Sequence, residues 1–120
     1  MTRGILIDVT NKTITEVVVT KDSEGSQLSS IYEHVDCELV DVVNIGDHDI
    51  YVDDEGLFKK RPSELKFFVW EDYHQPIPGN GLIMGFDSNT GSSMNCELTI
   101  EYVKSVVKFL SYEDVIGIYN

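Results

Sequence analysis

Short alternating runs of hydrophobic and polar residues fill the first half of the chain, and they predict antiparallel strands. Residues 4–9, with the sequence Gly-Ile-Leu-Ile-Asp-Val, predict a first strand that is mostly buried. The β-branched residues 13–20 predict its return after a turn at 11–12. Two more strands are predicted at 37–45 and 49–53, joined by a short turn. The pattern therefore indicates a meander of short strands.

Two other segments follow the helical spacing of apolar residues. The first is a short helix with Ser26 as its N-cap, and its apolar positions 28, 31, 32 and 35 follow the spacing i, i+3, i+4 and i+7. The second is predicted from Ile100 to Leu110, with Thr99 as its N-cap. An acidic residue near its start and a Lys near its end suit the helix dipole.

The remaining apolar runs complete the predicted architecture. Residues 65–71 predict an aromatic strand, and 82–86 predict a strand between turns. The tail at 115–119 alternates weakly, which predicts an edge strand or a subunit contact. Together these elements predict an α+β fold, an antiparallel meander sheet with two helices, in a single small domain over residues 1–120.

The segment 76–93 differs in composition from the rest of the chain. It contains two of the three prolines and four of the nine glycines. Its apolar run at 82–86 lies between two turn-rich loops. Loops held by rigid strands often carry binding residues, so this segment is the first candidate for function.

Acidic residues outnumber basic ones by 21 to 9, which gives a net charge of −12. Eleven of the acids lie between Asp22 and Leu57, a stretch without Lys or Arg. A field of this sign repels nucleic acid and anionic lipid, so we expect neither nucleic acid nor a membrane as a partner. A solvated acidic face and a docking surface for a basic partner both remain open.

Hydropathy and cysteine usage predict a cytosolic address. No apolar run approaches the ~20 residues that a membrane span needs, and the first residues lack a signal-peptide pattern. Cys37 and Cys96 do not form a C-x-x-C pair. We therefore expect two reduced, buried thiols rather than a disulfide.

Familiar catalytic and cofactor motifs do not match this sequence. Gly79, Gly81 and Gly85 miss the dinucleotide fingerprint because position 84 is Met, and no Lys follows them as a P-loop requires. The segment 87–91 resembles a calcium loop, but its Gly falls one place early, so a turn with Asx hydrogen bonds is favoured. We expect a protein that is not an enzyme and that uses no cofactor.

A cluster of carboxylates surrounds His48, between Asp47 and Glu55. A hard metal ion could use such groups. These acids fall in tight turns, where Asp bonds to the local backbone, so we predict no metal site. An enzyme that degrades a nucleotide signal with a metal at this cluster stays an alternative hypothesis.

Polar residues follow Phe86 at the end of its predicted strand, and they form the candidate ligand site. The set comprises Asp87, Asn89, Thr90 and Asn95, whose side chains can bond to ribose hydroxyls and base edges. The ring of Phe86 could stack on a base, and amides of Gly-rich turns can hold phosphate. The alternative places Phe86 in the core, with an ordinary turn after it.

The order of these features resembles a group of small bacteriophage proteins. The resemblance is carried by 3–8, 35–43, 49–57 and 78–85, the last with the sequence Pro-Gly-Asn-Gly-Leu-Ile-Met-Gly. Within this group the chain resembles the Thoeris anti-defence sponges of the first type. The resemblance implies a mixed fold and a binding protein of the host cytoplasm.

The sponge resemblance implies sequestration of an immune signal without its cleavage. The signal would be a small cyclic nucleotide-like molecule, an isomer of cyclic ADP-ribose. Such sponges are oligomeric, which implies a homo-oligomer with ligand sites near subunit contacts. The diphosphate of the ligand prefers positive charge, for which Arg3 and Arg61 join the predicted ligand-binding set. Lys59, Lys60 and Lys66 are further candidate sources of positive charge for this ligand outside the last helix.

An acidic decoy is the alternative function. Its motivation is the acidic stretch from Asp22 to Leu57. Such a protein would bind a basic host protein or mimic DNA, and its binding should weaken steeply with salt.

Overall fold

The computed structural model describes residues 1–58 and 60–119, and it has the predicted α+β class. Within this part of the chain, the strands pair only in antiparallel fashion and form two sheets. In chain order the strands are β1 (Thr2–Asp8), β2 (Thr13–Val19), β3 (Val40–Asn44), β4 (His48–Asp53), β5 (Lys66–Trp70), β6 (Ile77–Pro78), β7 (Gly81–Phe86), β8 (Ser93–Met94) and β9 (Val107–Ser111). The helices are α1 (Leu28–Val35), α2 (Ile100–Val106) and α3 (Tyr112–Tyr119), and a 3-10 turn covers Pro62–Glu64.

The larger sheet has the strand order β2-β1-β7-β4-β3, with the short β8 paired to the end of β7. The predicted hairpins β1–β2 and β3–β4 are present, but β7 lies between them. In register, Ile83 of β7 is opposite Ile5 of β1 and Ile50 of β4, and all three are 0% exposed. A central strand buried on both faces explains why 82–86 is continuously apolar rather than alternating.

The two faces of the larger sheet carry two hydrophobic cores. On one face, Leu82 and Met84 pack with Ile31 and Val35 of α1. The other face packs on the smaller sheet, whose order is β6-β5-β9, and on α2. The large buried side chains of this second core are those of Ile5, Ile7, Ile50, Ile83, Phe68, Trp70 and Ile77. The larger sheet is therefore the middle layer of the molecule, between a helix and a second sheet.

The second predicted helix is shorter than its periodicity indicated. Thr99 is the N-cap as predicted, since its Oγ1 accepts a hydrogen bond from the Tyr102 N–H at 3.1 Å. The helix ends at Val106, and Val107–Ser111 instead forms β9, where Phe109 is opposite Phe68. The prediction of helix to Leu110 was wrong because pairing with β5 outweighs a weak local preference in a β-branched segment.

The tail is a third helix, which corrects the predicted edge strand at 115–119. Ser111 and Asp114 form reciprocal hydrogen bonds at its start. The Ser111 N–H donates to Asp114 Oδ2 at 2.9 Å, and the Asp114 N–H donates to Ser111 Oγ at 3.2 Å. This capping box stabilises helix over strand.

The first helix begins later than predicted. Its N-cap is Gln27, while Ser26 lies one residue outside and its Oγ accepts from the Leu28 N–H at 3.2 Å. The Gln27 side chain instead reaches β1, where its Nε2 donates to Thr2 Oγ1 at 2.8 Å.

No helix in the described residues is long and apolar enough to cross a bilayer.

Both cysteines are thiols, in agreement with the prediction. Cys96 is 2% exposed, whereas Cys37 is half-buried. Burial raises the pKa of the Cys96 thiol above its ordinary value, although hydrogen bonding at Leu98 and the charge of Arg3 oppose this. The Cys96 thiol is therefore protonated and unreactive at neutral pH.

Candidate functional site

The loop after β7 carries three of the predicted ligand residues, Asp87, Asn89 and Thr90, and Phe86 is the last residue of β7 itself. Asp87 organises this loop: its N–H donates to the Ser92 carbonyl at 2.9 Å, and its Oδ1 accepts from the Asn89 N–H at 2.8 Å. Phe86 is half-buried opposite Ser93, while Asn89 and Thr90 are exposed. One carboxylate oxygen of Asp87 is thus used by the turn itself, as the Asx pattern predicted.

Arg3 and Asn95 come together beside this loop, as the predicted site requires. The Arg3 N–H donates to Asn95 Oδ1 at 2.8 Å. The Arg3 guanidinium, however, is engaged within the protein: its Nη1 donates to the carbonyls of Cys96 at 2.6 Å and Leu98 at 2.9 Å. Its Nε also pairs with Glu16 at 3.0 Å. Arg3 therefore acts as a clamp that ties the 95–98 segment to β1.

Arg61 lies at the opposite end of β7 from Phe86. It is exposed and directly precedes the 3-10 turn that leads into β5. The start of β5 adjoins the turn before β7, since the Gly79 N–H donates to the Lys66 carbonyl at 3.0 Å. The six residues of β7 span roughly 17 Å at the usual strand rise. The seven predicted residues therefore do not converge on one site.

A cleft at the Arg61 end of β7 offers the better ligand geometry. This lysine cleft has a volume of about 180 Å³ and lies among the ends of β1, α1 and β4 and the beginnings of β5 and β7. Its polar lining consists of Thr10, Asp36, Asp53, Lys60, Lys66 and Asn80. Two lysines against two aspartates make the lining formally neutral, in a chain whose net charge is −12.

The turn that precedes β7 forms one wall of the lysine cleft. Gly79 has a φ of +81°, a left-handed conformation that favours glycine. Asn80 Oδ1 accepts from the Val9 N–H at 3.0 Å, which fixes the turn to the end of β1. The Asn80 Nδ2 has no acceptor among the described residues, so it can donate to a ligand.

The ammonium groups of the two cleft lysines can interact with an anionic ligand. Within the described part of the chain, neither Lys60 nor Lys66 forms an ion pair, and both are exposed. The sequence contained both signals, the Gly-rich turn at 78–81 and the lysines as sources of positive charge. What it could not show is that these segments, more than ten residues apart, line one cavity.

His48 has a structural role in the fold. It is 7% exposed, and its Nε2 accepts a hydrogen bond from the Glu97 N–H at 3.0 Å. The imidazole thereby ties β4 to the segment before α2. Among the described residues, no group of three or more His, Cys, Asp or Glu side chains is placed to hold a metal ion.

Comparison with known proteins gives one family. A family model described as a domain of unknown function, DUF3846, matches residues 1–109. The match includes every strand from β1 to β8, α1 and α2, and the beginning of β9. No curated protein and no solved structure matches the chain significantly.

Proposed function

The chain belongs to the DUF3846 family, and we propose that it is a phage sponge that binds a cyclic ADP-ribose-type signal without cleaving it. The activity would take place in the host cytoplasm. The observation that carries the proposal is the lysine cleft, where Lys60 and Lys66 flank a glycine turn. Two ammonium groups and an amide donor suit the diphosphate of such a ligand.

The size of the lysine cleft suggests which part of the ligand it holds. Its volume of about 180 Å³ is below the ~300 Å³ at which pockets for drug-sized ligands begin. The diphosphate and an adjoining ribose would occupy the cleft, with the base outside it. Phe58 is 83% exposed, and Gly56 and Lys60, two residues before and after it, both line the cleft. These positions support the proposal that the Phe58 ring stacks on the base.

Isothermal titration with cyclic ADP-ribose isomers tests the proposal. The double variant Lys60→Gln/Lys66→Gln should bind about 10- to 100-fold more weakly, because it loses charge-assisted bonds to phosphate. Lys104→Gln/Lys108→Gln is the matched control, since it removes two exposed lysines that do not line the cleft. Absence of heat for every isomer at micromolar protein contradicts sequestration. If the double variant binds the ligand as tightly as the parent protein, the lysine cleft is not the binding site.

Release of the ligand separates sequestration from degradation. We expect the complex, when heated, to return the ligand chemically intact by mass spectrometry. A hydrolysed product would instead support the alternative of an enzyme.

A further inference from the structure

A second cavity lies at the other end of β5 and is lined by three aromatic rings. We call it the aromatic pocket; its volume is about 310 Å³. The principal lining residues are Trp70, Tyr73, Tyr102, Leu98, Asn44 and Asp72. Trp70 ends β5, Tyr102 belongs to α2, and Asn44 ends β3, so separate elements supply the walls. None of its residues lines the lysine cleft.

The aromatic walls are held in place by the core. Trp70 is 4% exposed and lies opposite Val107 in the smaller sheet. The ring centroids of Trp70 and Tyr102 are 6.4 Å apart with an interplanar angle of 65°, an edge-to-face arrangement. The Tyr73 N–H donates to the Trp70 carbonyl at 2.9 Å, which fixes the backbone of the third ring. Core packing thus fixes the Trp70 ring, against which Tyr102 packs edge to face.

The β3–β4 turn forms the polar wall, and Asn44 holds it together. Its Nδ2 lies 3.1 Å from the Gly46 carbonyl and 3.0 Å from Asp49 Oδ1. Its Oδ1 accepts from the Gly46 N–H at 3.3 Å. Because the amide is used inside the turn, it shapes the pocket and offers few donors to an anionic ligand.

The charge around the aromatic pocket is negative. Asp72 is exposed, and among the described lining residues it is the one with a formal charge. Asp47, Glu71 and Glu101 each adjoin another lining residue in sequence. A phosphate group would be repelled by Asp72, whereas a cation would be attracted by this carboxylate and by the aromatic rings.

We propose that the aromatic pocket binds a small organic cation with a methylated ammonium head group. Methyl groups match the apolar ring faces, and the positive charge interacts with their quadrupoles and with Asp72. A neutral nucleobase could also stack on these rings and donate a hydrogen bond to the carboxylate, but it would gain no charge–charge attraction. This site is independent of the proposed sponge activity, because the two cavities use different residues.

Choline and its neutral isostere, 3,3-dimethylbutan-1-ol, test the proposal directly. The two molecules differ by the replacement of the quaternary nitrogen with carbon. They therefore have nearly the same shape, but only choline carries a positive charge. The chain has one tryptophan, Trp70, and its fluorescence reports occupancy of the pocket. We expect choline to bind at least tenfold more tightly than the isostere, and AMP to bind more weakly than choline.

Two variants locate the binding. Tyr102 is 47% exposed, so Tyr102→Leu should fold normally while lowering choline affinity at least fivefold. Asp72→Asn, which alters an exposed side chain, should lower it about threefold and reduce its salt dependence. Glu24→Gln, in an exposed turn distant in sequence, is the charge-matched control. Equal binding of choline and its isostere, preference for AMP, or unchanged affinity in both variants each overturns the proposal.

Discussion

At the scale of single residues, the environment of a side chain decides whether it is available for a ligand. Arg3 and Lys66 carry the same charge, yet Arg3 donates to the carbonyls of Cys96 and Leu98 and pairs with Glu16. Lys66 is exposed and lines a cleft. Composition identifies both as sources of positive charge, whereas the contacts make Arg3 a structural clamp.

Replacement of Arg3 tests the clamp. Arg3→Met keeps the aliphatic part of the side chain but removes the two charge-assisted bonds to carbonyls and the ion pair with Glu16, so the free energy of unfolding should fall by about 2 kcal/mol or more. Glu16→Gln removes only the partly exposed ion pair and should change it by less than ~1 kcal/mol. Denaturant titration measures both. A destabilisation that is the same in the two variants would contradict the assignment.

Replacement of Phe58 or Phe86 tests which of the two candidate sites holds the base of the ligand. Phe58→Ala should weaken the cyclic ADP-ribose-type ligand by ~1–3 kcal/mol through loss of stacking. Phe86→Ala should have the same effect if the loop after β7 holds the base. We expect the larger loss at Phe58, which adjoins the lysine cleft. Because Phe86 is half-buried, thermal melting of each variant must accompany the titration. Equal affinity of Phe58→Ala and the parent protein rules out stacking there.

At the scale of elements, pairing and capping overrode the periodicity of the C-terminal quarter. The apolar positions between 100 and 110 fit a helix, but β5 offers an unpaired edge to which Val107–Ser111 bonds. The tail alternates weakly, but the Ser111–Asp114 capping box starts a helix. Local sequence patterns favour helix or strand only weakly in these two segments. A few hydrogen bonds, to β5 in one segment and between Ser111 and Asp114 in the other, therefore decide which structure forms.

The capping box makes the stability of α3 depend on pH. Hydrogen bonds from the Ser111 backbone and side chain lower the pKa of Asp114 below its ordinary value. Because the folded pKa is lowered, this contribution is present above the unfolded carboxyl pKa of about 4 and is lost as pH falls through the lowered value. Hydrogen exchange of amides 112–117 should therefore show weaker protection at pH 2 than at pH 6. Asp114→Ala should lose this pH dependence, and Glu113→Gln should retain it.

At the scale of the whole molecule, the net negative charge affects how the protein associates with other copies and with partners. A net charge of −12 opposes contacts between copies, and this repulsion weakens as salt is added. Leu39 and Val42, which are 51% and 44% exposed, lie beside acidic residues at the edge formed by β3. This surface suits either a second copy or a basic partner.

Salt dependence separates the proposed homo-oligomer from the acidic decoy. Self-association should increase between 50 and 500 mM NaCl, on the order of several-fold, because like charges are screened. Binding to a basic host protein should weaken over the same range. Light scattering after size exclusion measures the first, and pulldown from host lysate the second. A monomer at every salt concentration, with or without ligand, counts against the oligomer.

Much of the architecture follows from the sequence because it depends on neighbouring residues. The β1–β2 and β3–β4 hairpins, the Thr99 cap and the buried run of β7 are all specified by local spacing. Burial of Cys96 was predicted as well. Net charge, and the expectation that nucleic acid is repelled, need no coordinates at all.

The tertiary structure alone decided which of these elements meet. Phe86 and Arg61 lie at opposite ends of β7, and insertion of β7 between β1 and β4 brings Asn80 to the end of β1. The lysine cleft and the aromatic pocket each collect residues from several distant segments. Sequence spacing carries no information on such contacts, because long-range packing in the core selects the strand order and thereby the cavities.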